Sequence, residues 1–119
     1  MKLAKREEQI MHVCWKLKKA FIKEIIDELP IPKPHYNTIA TMVKVLEEKR
    51  FLKHESVGNI FCYSPLITKE EYRNQEMKSF IGKYFDNSYV SMLSYFAKEQ
   101  NISEDEFNEI LTLMKAGEK

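Results

Sequence analysis

The sequence is poor in residues that interrupt helices or crosslink a chain. Its 119 residues include three glycines, four prolines and two cysteines. A hydrophobic share of 44% beside a charged share of 31% is typical of a soluble, largely helical protein and not of a disordered one. A chain of this length has room for one domain with a modest core and a small appended element, so two large domains are excluded.

Long apolar runs are also missing. No run approaches the roughly 18 residues that a membrane-spanning helix needs. The first eight residues are mostly charged and lack the apolar core of a secretory signal. We therefore expect a cytoplasmic protein with no membrane insertion.

The two cysteines, Cys14 and Cys62, lie far apart, and neither belongs to a CxxC motif or a Cys/His cluster. We expect two ordinary buried thiols, with neither a disulfide nor a zinc or other metal site. Paired carboxylates, a nucleophile motif and a glycine-rich phosphate loop are missing too. No enzymatic activity and no cofactor are therefore expected.

Charge is unevenly distributed along the chain, although the formal net charge is only +1. Residues 1–66 hold 12 Lys+Arg against 8 Asp+Glu, a net of +4, and residues 67–119 hold 7 against 10, a net of −3. The N-terminal half is therefore the basic half, and a basic excess is what nucleic-acid-binding domains usually carry.

Apolar residues at helical spacing predict three helices in the first half. The first covers residues 5–19, and the second runs from Ile22 to Leu29, where a stretch with three prolines stops it. The third covers residues 36–49 and has one apolar face. That face consists of Ile39, Met42, Val43 and Leu46.

The period then changes to that of strands. Residues 51–56 and 60–64 are rich in β-branched and aromatic side chains, and Val57-Gly58-Asn59 separates them, which predicts a β-hairpin. Three helices followed by a hairpin is the order of a winged helix-turn-helix domain, whose third helix is the candidate recognition helix. We therefore expect a mainly α fold with a small β-hairpin, in which residues 1–66 form a DNA-binding domain.

The remainder, residues 67–119, is predicted to be helical. Thr68 and Ser103 each precede a glutamate by three residues, as in a capping box, and breaks are expected at Gly82 and at residues 86–88. These signals predict helices at 69–82, 88–99 and 104–115.

Short helices of this kind are marginal alone, so they must bury their apolar faces. We expect a homodimer in which this tail is the dimerisation domain. The alternative is that the middle tail segment folds back on the N-terminal domain. The predicted dimer contacts are Tyr89, Met92, Leu93, Phe96, Phe107, Ile110, Leu111 and Met114.

The side of the third helix opposite its apolar face presents Asn37, Thr38, Thr41 and Lys44. Asparagine can pair with adenine, and threonine can place its methyl group against thymine, so this face suits a major groove. Other residues are predicted to meet phosphate and position the protein. They are Lys33, His35, Tyr36, Lys53 and Asn59, and Lys44 is also placed where it can meet phosphate. The alternative is that the asparagine and threonines merely cap the helix.

The sequence resembles the penicillinase-repressor (BlaI/MecI/CopY) family over nearly its whole length. The matching pieces are Glu7-x-x-x-Met11-x-x-x-Trp15, Glu24-Ile25 with Leu29, Thr38-Ile39-x-Thr41-Met42 with Leu46, and Tyr63-x-Pro65. The resemblance implies a homodimer that binds a dyad-symmetric operator in double-stranded DNA and blocks transcription. It also implies that Thr38 and Thr41 read bases.

In the β-lactam-responsive members, a membrane sensor protease triggers cleavage of the repressor within the middle tail helix. The corresponding bond here joins Tyr95 and Phe96, and tyrosine replaces the asparagine that usually precedes the phenylalanine. The copper-responsive members carry a C-terminal cysteine pattern, which is missing here.

A second departure is Arg50, at a position where the family commonly has glycine. Either the turn holds a left-handed arginine at some energetic cost or the helix exits differently.

A rival to DNA binding is a winged helix that serves as a protein-interaction module, since the fold does not fix the function. The polar face of the third helix and the basic first half favour DNA.

Overall fold

The computed structural model describes residues 3–99 and 102–117. Within them the chain forms six helices and three strands. In order, these are α1 (Lys5–Leu17), β1 (Ala20–Phe21), α2 (Ile22–Glu28), α3 (Tyr36–Glu48), β2 (Leu52–Val57), β3 (Ile60–Pro65), α4 (Lys69–Phe85), α5 (Tyr89–Glu99) and α6 (Glu104–Gly117). Three helices followed by a hairpin is the order that the sequence predicts for a winged helix-turn-helix.

The sheet is antiparallel, with strand order β1-β3-β2. Val57 pairs with Ile60, so the turn is the two residues Gly58 and Asn59 and not the three that the sequence suggests. Gly58 has a φ of 64°, a conformation that such tight hairpin turns require and that glycine adopts without strain. β1 is only two residues long, too short for its sequence pattern to show.

The core of the N-terminal part lies between α1, α2, α3 and the sheet. Its fully buried large side chains include Ile10, Met11, Ile25, Ile39, Leu46 and Leu52. The predicted apolar face of α3 is buried, except that Met42 is only partly buried. Burying a side chain of this size contributes on the order of 2 kcal/mol, so this helix is held by its apolar face.

The start of α4 belongs to the same core. Tyr72 packs edge-on against Phe51, at 5.9 Å between ring centroids, and its hydroxyl donates to the Glu8 carboxylate at 3.1 Å. The Trp15 Nε1–H donates to the Ile67 carbonyl at 2.9 Å. The chain accordingly divides into two compact units, Met1–Glu76 and Met77–Lys119, so the first unit extends ten residues past the predicted boundary at residue 66.

The capping box predicted at Thr68 is present. The Thr68 hydroxyl accepts from the Glu71 N–H at 3.0 Å, and the Glu71 carboxylate accepts from the Thr68 N–H at 3.0 Å. The second predicted start is also present, since the Ser103 hydroxyl accepts from the Glu106 N–H at 3.1 Å. Both pairs satisfy backbone donors that a helix start leaves free.

The prediction that Gly82 breaks the tail is wrong, because α4 continues through it to Phe85. The helix ends instead at Asp86 and Asn87, whose φ angles are 50° and 65°. That reversal brings the Asn87 side chain back onto the helix. A Cβ atom at position 82 would lie 2.9 Å from Asn87 Oδ1, so glycine here provides room and not a stop.

None of the helices in the described ranges is both long enough and apolar enough to span a membrane.

Candidate nucleic-acid interface

The polar face of α3 is exposed, as the sequence predicts. Ile39, Val43 and Leu46 are fully buried on one side of the helix. The four polar residues predicted on the other side are all exposed: Asn37, Thr38, Thr41 and Lys44. The proposed base-reading threonines therefore lie outside the core.

Helix capping does not explain these polar residues. The residue at the N-cap of α3 is His35, and its side chain makes no capping hydrogen bond. The Thr41 hydroxyl donates to the Asn37 carbonyl at 2.9 Å. This bond uses the hydroxyl proton and fixes the side chain, which leaves an oxygen acceptor and a methyl group to face outward.

The start of α3 and the tip of the hairpin form one surface. Tyr36 and Asn59 line a common cleft of about 360 Å³ together with Phe21, Lys23 and Phe61, among others. Tyr36 is 54% exposed, so its side chain is accessible from solvent, as a phosphate contact requires. The structure therefore brings together two predicted phosphate contacts that lie 23 residues apart in the sequence.

Lys23 is a cation in this cleft that the sequence analysis did not select. It lies on α2, and its position in the sequence does not indicate a contact with the hairpin. Only the fold places it beside Asn59.

Two predicted phosphate contacts lie in other surroundings. Lys33 donates from its ammonium group to the backbone carbonyls of Asp27 and Leu29, so it caps the end of α2. Lys53 pairs across the sheet with Ser64, four residues before the end of β2 and therefore roughly 13 Å along the strand from the turn. It lines a separate cleft with Lys19 and is not brought to Asn59.

The hairpin is fastened to α3 by side chains. His54 Nδ1 on β2 contacts the Glu47 carboxylate on α3. The His54 ring also stacks on Phe61, with 4.1 Å between centroids. The His54–Glu47 contact thus links the hairpin to α3, while the stack on Phe61 holds the His54 ring within the hairpin.

Both cysteines are buried free thiols, as predicted. Burial raises the pKa of Cys14 to about 12. At physiological pH this thiol stays protonated and is not a nucleophile.

The tail unit carries an aromatic cluster. The Phe85 ring lies 5.7 Å from Tyr95 and 6.4 Å from Phe96, and Phe80 lies 5.2 Å from Tyr84, between centroids. Tyr84 is 62% exposed. Phe80 and Tyr84 are residues that the sequence analysis missed, although their spacing of four places them on one side of α4.

The predicted dimer contacts differ in burial. Met92 is buried within its own protomer, and Tyr89 is 48% exposed. Most of the others are partly buried: Leu93, Phe96, Phe107, Ile110 and Leu111. The side chain of Met114 lies outside the described part of the chain.

The bond between Tyr95 and Phe96 lies inside α5, and the Phe96 side chain is partly buried. A protease that binds extended substrate reaches such a bond only after the helix opens locally.

Comparison with known proteins assigns the family. The sequence profile of the penicillinase repressor family matches residues 3–116. The chain is 26% identical over 113 residues to the methicillin resistance regulatory protein MecI of Staphylococcus aureus strain N315, covering 94% of this chain and 92% of MecI. It is 30% identical over 114 residues to the penicillinase repressor of Bacillus licheniformis, covering 92% of this chain and 86% of that protein.

A solved structure is similar as well. It is the solution structure of monomeric Bacillus licheniformis BlaI in complex with the blaP half-operator. The TM-score is 0.50 at 32% sequence identity, and the match covers 60% of this chain and 89% of that one. The predicted winged-helix fold is thereby confirmed, and the chain belongs to the penicillinase repressor family.

Proposed function

We propose that this protein is a transcriptional repressor that binds double-stranded operator DNA through α3. The observation that carries the proposal is the polar face of α3, whose Asn37, Thr38, Thr41 and Lys44 are exposed opposite a fully buried aliphatic face. The similar fold of BlaI, whose structure contains a half-operator, supports the same use of this surface.

In this proposal the helix lies in the major groove with short side chains against the bases. Asn37 and Thr38 on the first turn read base edges, and Thr41 offers its methyl group and hydroxyl oxygen. Tyr36 and Asn59, which share the cleft beside the helix, contact phosphates on the flanking strand, and Lys23 adds a cation there. His35 and Lys44 are further phosphate contacts at the two ends of this surface. Lys33 and Lys53 have a weaker case, because one caps α2 and the other lies away from the turn.

The active form is a homodimer held by the tail. A single recognition helix without a dense basic face gives moderate affinity, and two copies on a dyad-symmetric site double the contacts. The tail carries exposed apolar side chains, such as Tyr84, Tyr89 and Val90, and these support a contact with a second copy of the chain. We propose the tail surface as the interface between two copies of this chain.

Repression is relieved, in this proposal, by cleavage between Tyr95 and Phe96 after a membrane sensor protease has been activated. The two residues lie in the unit Met77–Lys119, so a cut there removes α6 and the last four residues of α5 from the dimer contact. Because this peptide bond lies inside a helix, α5 must unfold locally before the bond is cleaved, and that unfolding controls the rate of cleavage.

The test of DNA binding uses a duplex selected by the protein from a random library. Thr41→Glu places a carboxylate where base edges and phosphates meet, and like charges held together cost several kcal/mol. We expect a loss of affinity of more than about 100-fold in gel shifts, with the sedimentation coefficient unchanged. Gln75→Glu adds the same charge at an exposed position of α4 and is expected to bind normally. Normal binding by Thr41→Glu would refute the assigned face.

A second function, a protein-interaction module, is favoured by one observation. Val57, Ile60 and Phe61 are about half exposed at the tip of the hairpin, where an apolar partner could dock. Salt separates the two functions, because DNA binding releases counterions and its logarithmic affinity falls linearly with the logarithm of salt concentration. We expect a steep slope in anisotropy titrations with the selected duplex, and a flat response would favour the interaction module.

A further inference from the structure

A second cleft lies where the chain leaves the hairpin and enters α4. It is bordered by the last turn of α1 and by the connecting segment from Pro65 to Lys69, and its volume is about 440 Å³. Cavities of that size accommodate small organic molecules. All of its lining residues belong to the first compact unit, and none comes from α3 or β2.

The charge lining this cleft has one sign. Lys16, Lys18 and Lys69 border it, and no lining residue is acidic. Lys16 is paired with Glu28 at 3.4 Å, whereas Lys18 and Lys69 form no ion pair with any residue that the structure describes. At least two ammonium groups are therefore free to meet an anion.

The cleft also has a fixed apolar wall. The indole of Trp15 is held by its hydrogen bond to the Ile67 carbonyl at 2.9 Å. His12 packs against it edge-on, with 5.3 Å between ring centroids. Leu66, which is 52% exposed, adds an aliphatic surface at the rim. An aromatic or aliphatic group placed here would lie against the indole of Trp15 and the side chain of Leu66.

The start of α4 adds a polar donor to the same cleft. The Thr68 hydroxyl accepts from the Glu71 N–H, which leaves its own proton free to donate. The partial positive charge of the helix N-terminus acts in the same direction as the lysines. The negative charge of Glu71 offsets part of this positive charge. The Glu71 carboxylate accepts a hydrogen bond from the Thr68 N–H, however, and does not line the cleft.

We propose that this cleft binds a small organic oxyanion, a phosphate or carboxylate that carries an aromatic or aliphatic group. The ammonium groups and the Thr68 hydroxyl take the anion, and Trp15 and Leu66 cover the apolar group. The same chemistry could be met by a phosphate of the DNA backbone. A free small molecule fits better, because the wall beside the lysines is apolar and the cleft contains no residue of the recognition helix.

Trp15 is the single tryptophan of the sequence, so its fluorescence reports directly on this site. The full-length protein is titrated with phenyl phosphate, with inorganic phosphate and with benzyl alcohol. We expect a saturable fluorescence change with phenyl phosphate. Inorganic phosphate, which lacks the ring, and benzyl alcohol, which lacks the anion, are each expected to bind at least about tenfold more weakly. The absence of a saturable change, or equal binding of inorganic phosphate, would overturn the proposal.

Matched variants locate the binding. Lys18→Gln and Lys69→Gln are each expected to weaken phenyl phosphate by about three- to fivefold, the size of one exposed charge contact. Lys5→Gln, at the other end of α1, is the control and is expected to bind normally. Circular dichroism checks that each variant is folded. If one of the two cleft variants is unfolded, the affinity of the other one tests the assignment. Unchanged affinity in a folded cleft variant would refute the assignment.

A final titration separates the two sources of phosphate. Phenyl phosphate is added to the protein in the presence of a saturating random duplex. We expect its affinity to be unchanged, since the cleft shares no residue with α3 or with the hairpin turn. Displacement by the duplex would assign these lysines to DNA and overturn the proposal of a separate site. If neither this duplex nor the selected one binds, the proposed function fails, while the phenyl phosphate titration still tests the cleft.

Discussion

Arg50 follows α3 in the left-handed region, with a φ of 67°. Its N–H still donates to the Glu47 carbonyl at 3.0 Å, so the turn after α3 holds a left-handed arginine at an energetic cost. The left-handed conformation costs a residue with a Cβ atom about 1–2 kcal/mol of stability. Replacement by glycine removes this strain, but part of the benefit is offset because glycine has a larger conformational entropy in the unfolded state.

Arg50→Gly is therefore expected to stabilise the protein by about 0.5 kcal/mol. The measurement is urea denaturation followed by circular dichroism. Arg73→Gly, an exposed position inside α4, is the control and is expected to destabilise by about 1 kcal/mol. A loss of stability in Arg50→Gly would show that its side chain makes a contact worth more than the strain.

Glu7 is a buried carboxylate that joins α1 to the end of α3. Its side chain is 10% exposed and accepts from the Ala4 N–H at 2.9 Å and from the Lys49 ammonium at 3.0 Å. Desolvation by burial raises the pKa of Glu7, but the backbone hydrogen bond and Lys49 outweigh it, so the net pKa lies below its ordinary 4.5. A depressed folded-state pKa means that the stabilisation is complete above pH 4.5 and is lost as the pH falls through the folded value.

Glu7→Gln should thus cost about 1–2 kcal/mol of unfolding free energy near neutral pH, and the difference should vanish in acid. Urea titrations across the acid range measure both. Glu24→Gln is the matched control, because Glu24 also accepts from a helix-start N–H, that of Phe21 at 2.9 Å, but is exposed. A difference between wild type and Glu7→Gln that persists below the folded pKa would contradict the electrostatic origin.

At the scale of elements, the beginning of α4 depends on one reciprocal cap. Thr68 and Glu71 satisfy each other's backbone donors, and the helix start is also tied to α1 by the hydrogen bonds from Trp15 to Ile67 and from Tyr72 to Glu8. Thr68→Ala is expected to cost about 1 kcal/mol and to raise amide exchange in the first turn of α4. Unchanged exchange there would show that packing of Tyr72 alone holds the helix start.

Thr112→Ala is the control for this cap. The Thr112 hydroxyl also bonds to backbone, donating to the Asn108 carbonyl at 2.9 Å, but within α6 and not at its start. Bonds of this kind do not satisfy an unpaired donor, so we expect an effect within about 0.5 kcal/mol.

At the scale of the whole molecule, the proposed dimer can be tested without disturbing the protomer. Tyr89 is about half exposed, so Tyr89→Asp removes little from the fold of one copy while placing a carboxylate in the proposed interface. We expect monomers in sedimentation equilibrium at concentrations where the wild type dimerises, with a shift of at least about 2 kcal/mol in dimer free energy. Operator affinity should fall as a consequence.

Ser91→Asp provides the matched control, because it adds the same charge to α5 on a different side of the helix. Dimerisation of Tyr89→Asp at wild-type strength would exclude this residue from the interface. A wild type that stays monomeric at all concentrations would refute the proposed dimer.

Local pattern was enough to predict much of this protein. The spacing of Ile39, Val43 and Leu46 was enough to predict α3 and its exposed polar face, since a helix repeats every 3.6 residues and buries one stripe. Short-range signals likewise located the hairpin around Gly58 and the start of α4 at Thr68. These features depend on residues a few positions apart, and such information is present in sequence order.

Tertiary contacts decided the rest, because they join residues whose separation in sequence carries no period. Folding placed Lys23 and Tyr36 beside Asn59, and it joined the Trp15 indole to the Ile67 carbonyl. The oxyanion cleft arises in the same way, from an α1 turn and a connecting segment about 50 residues later, which meet only because both pack on one core.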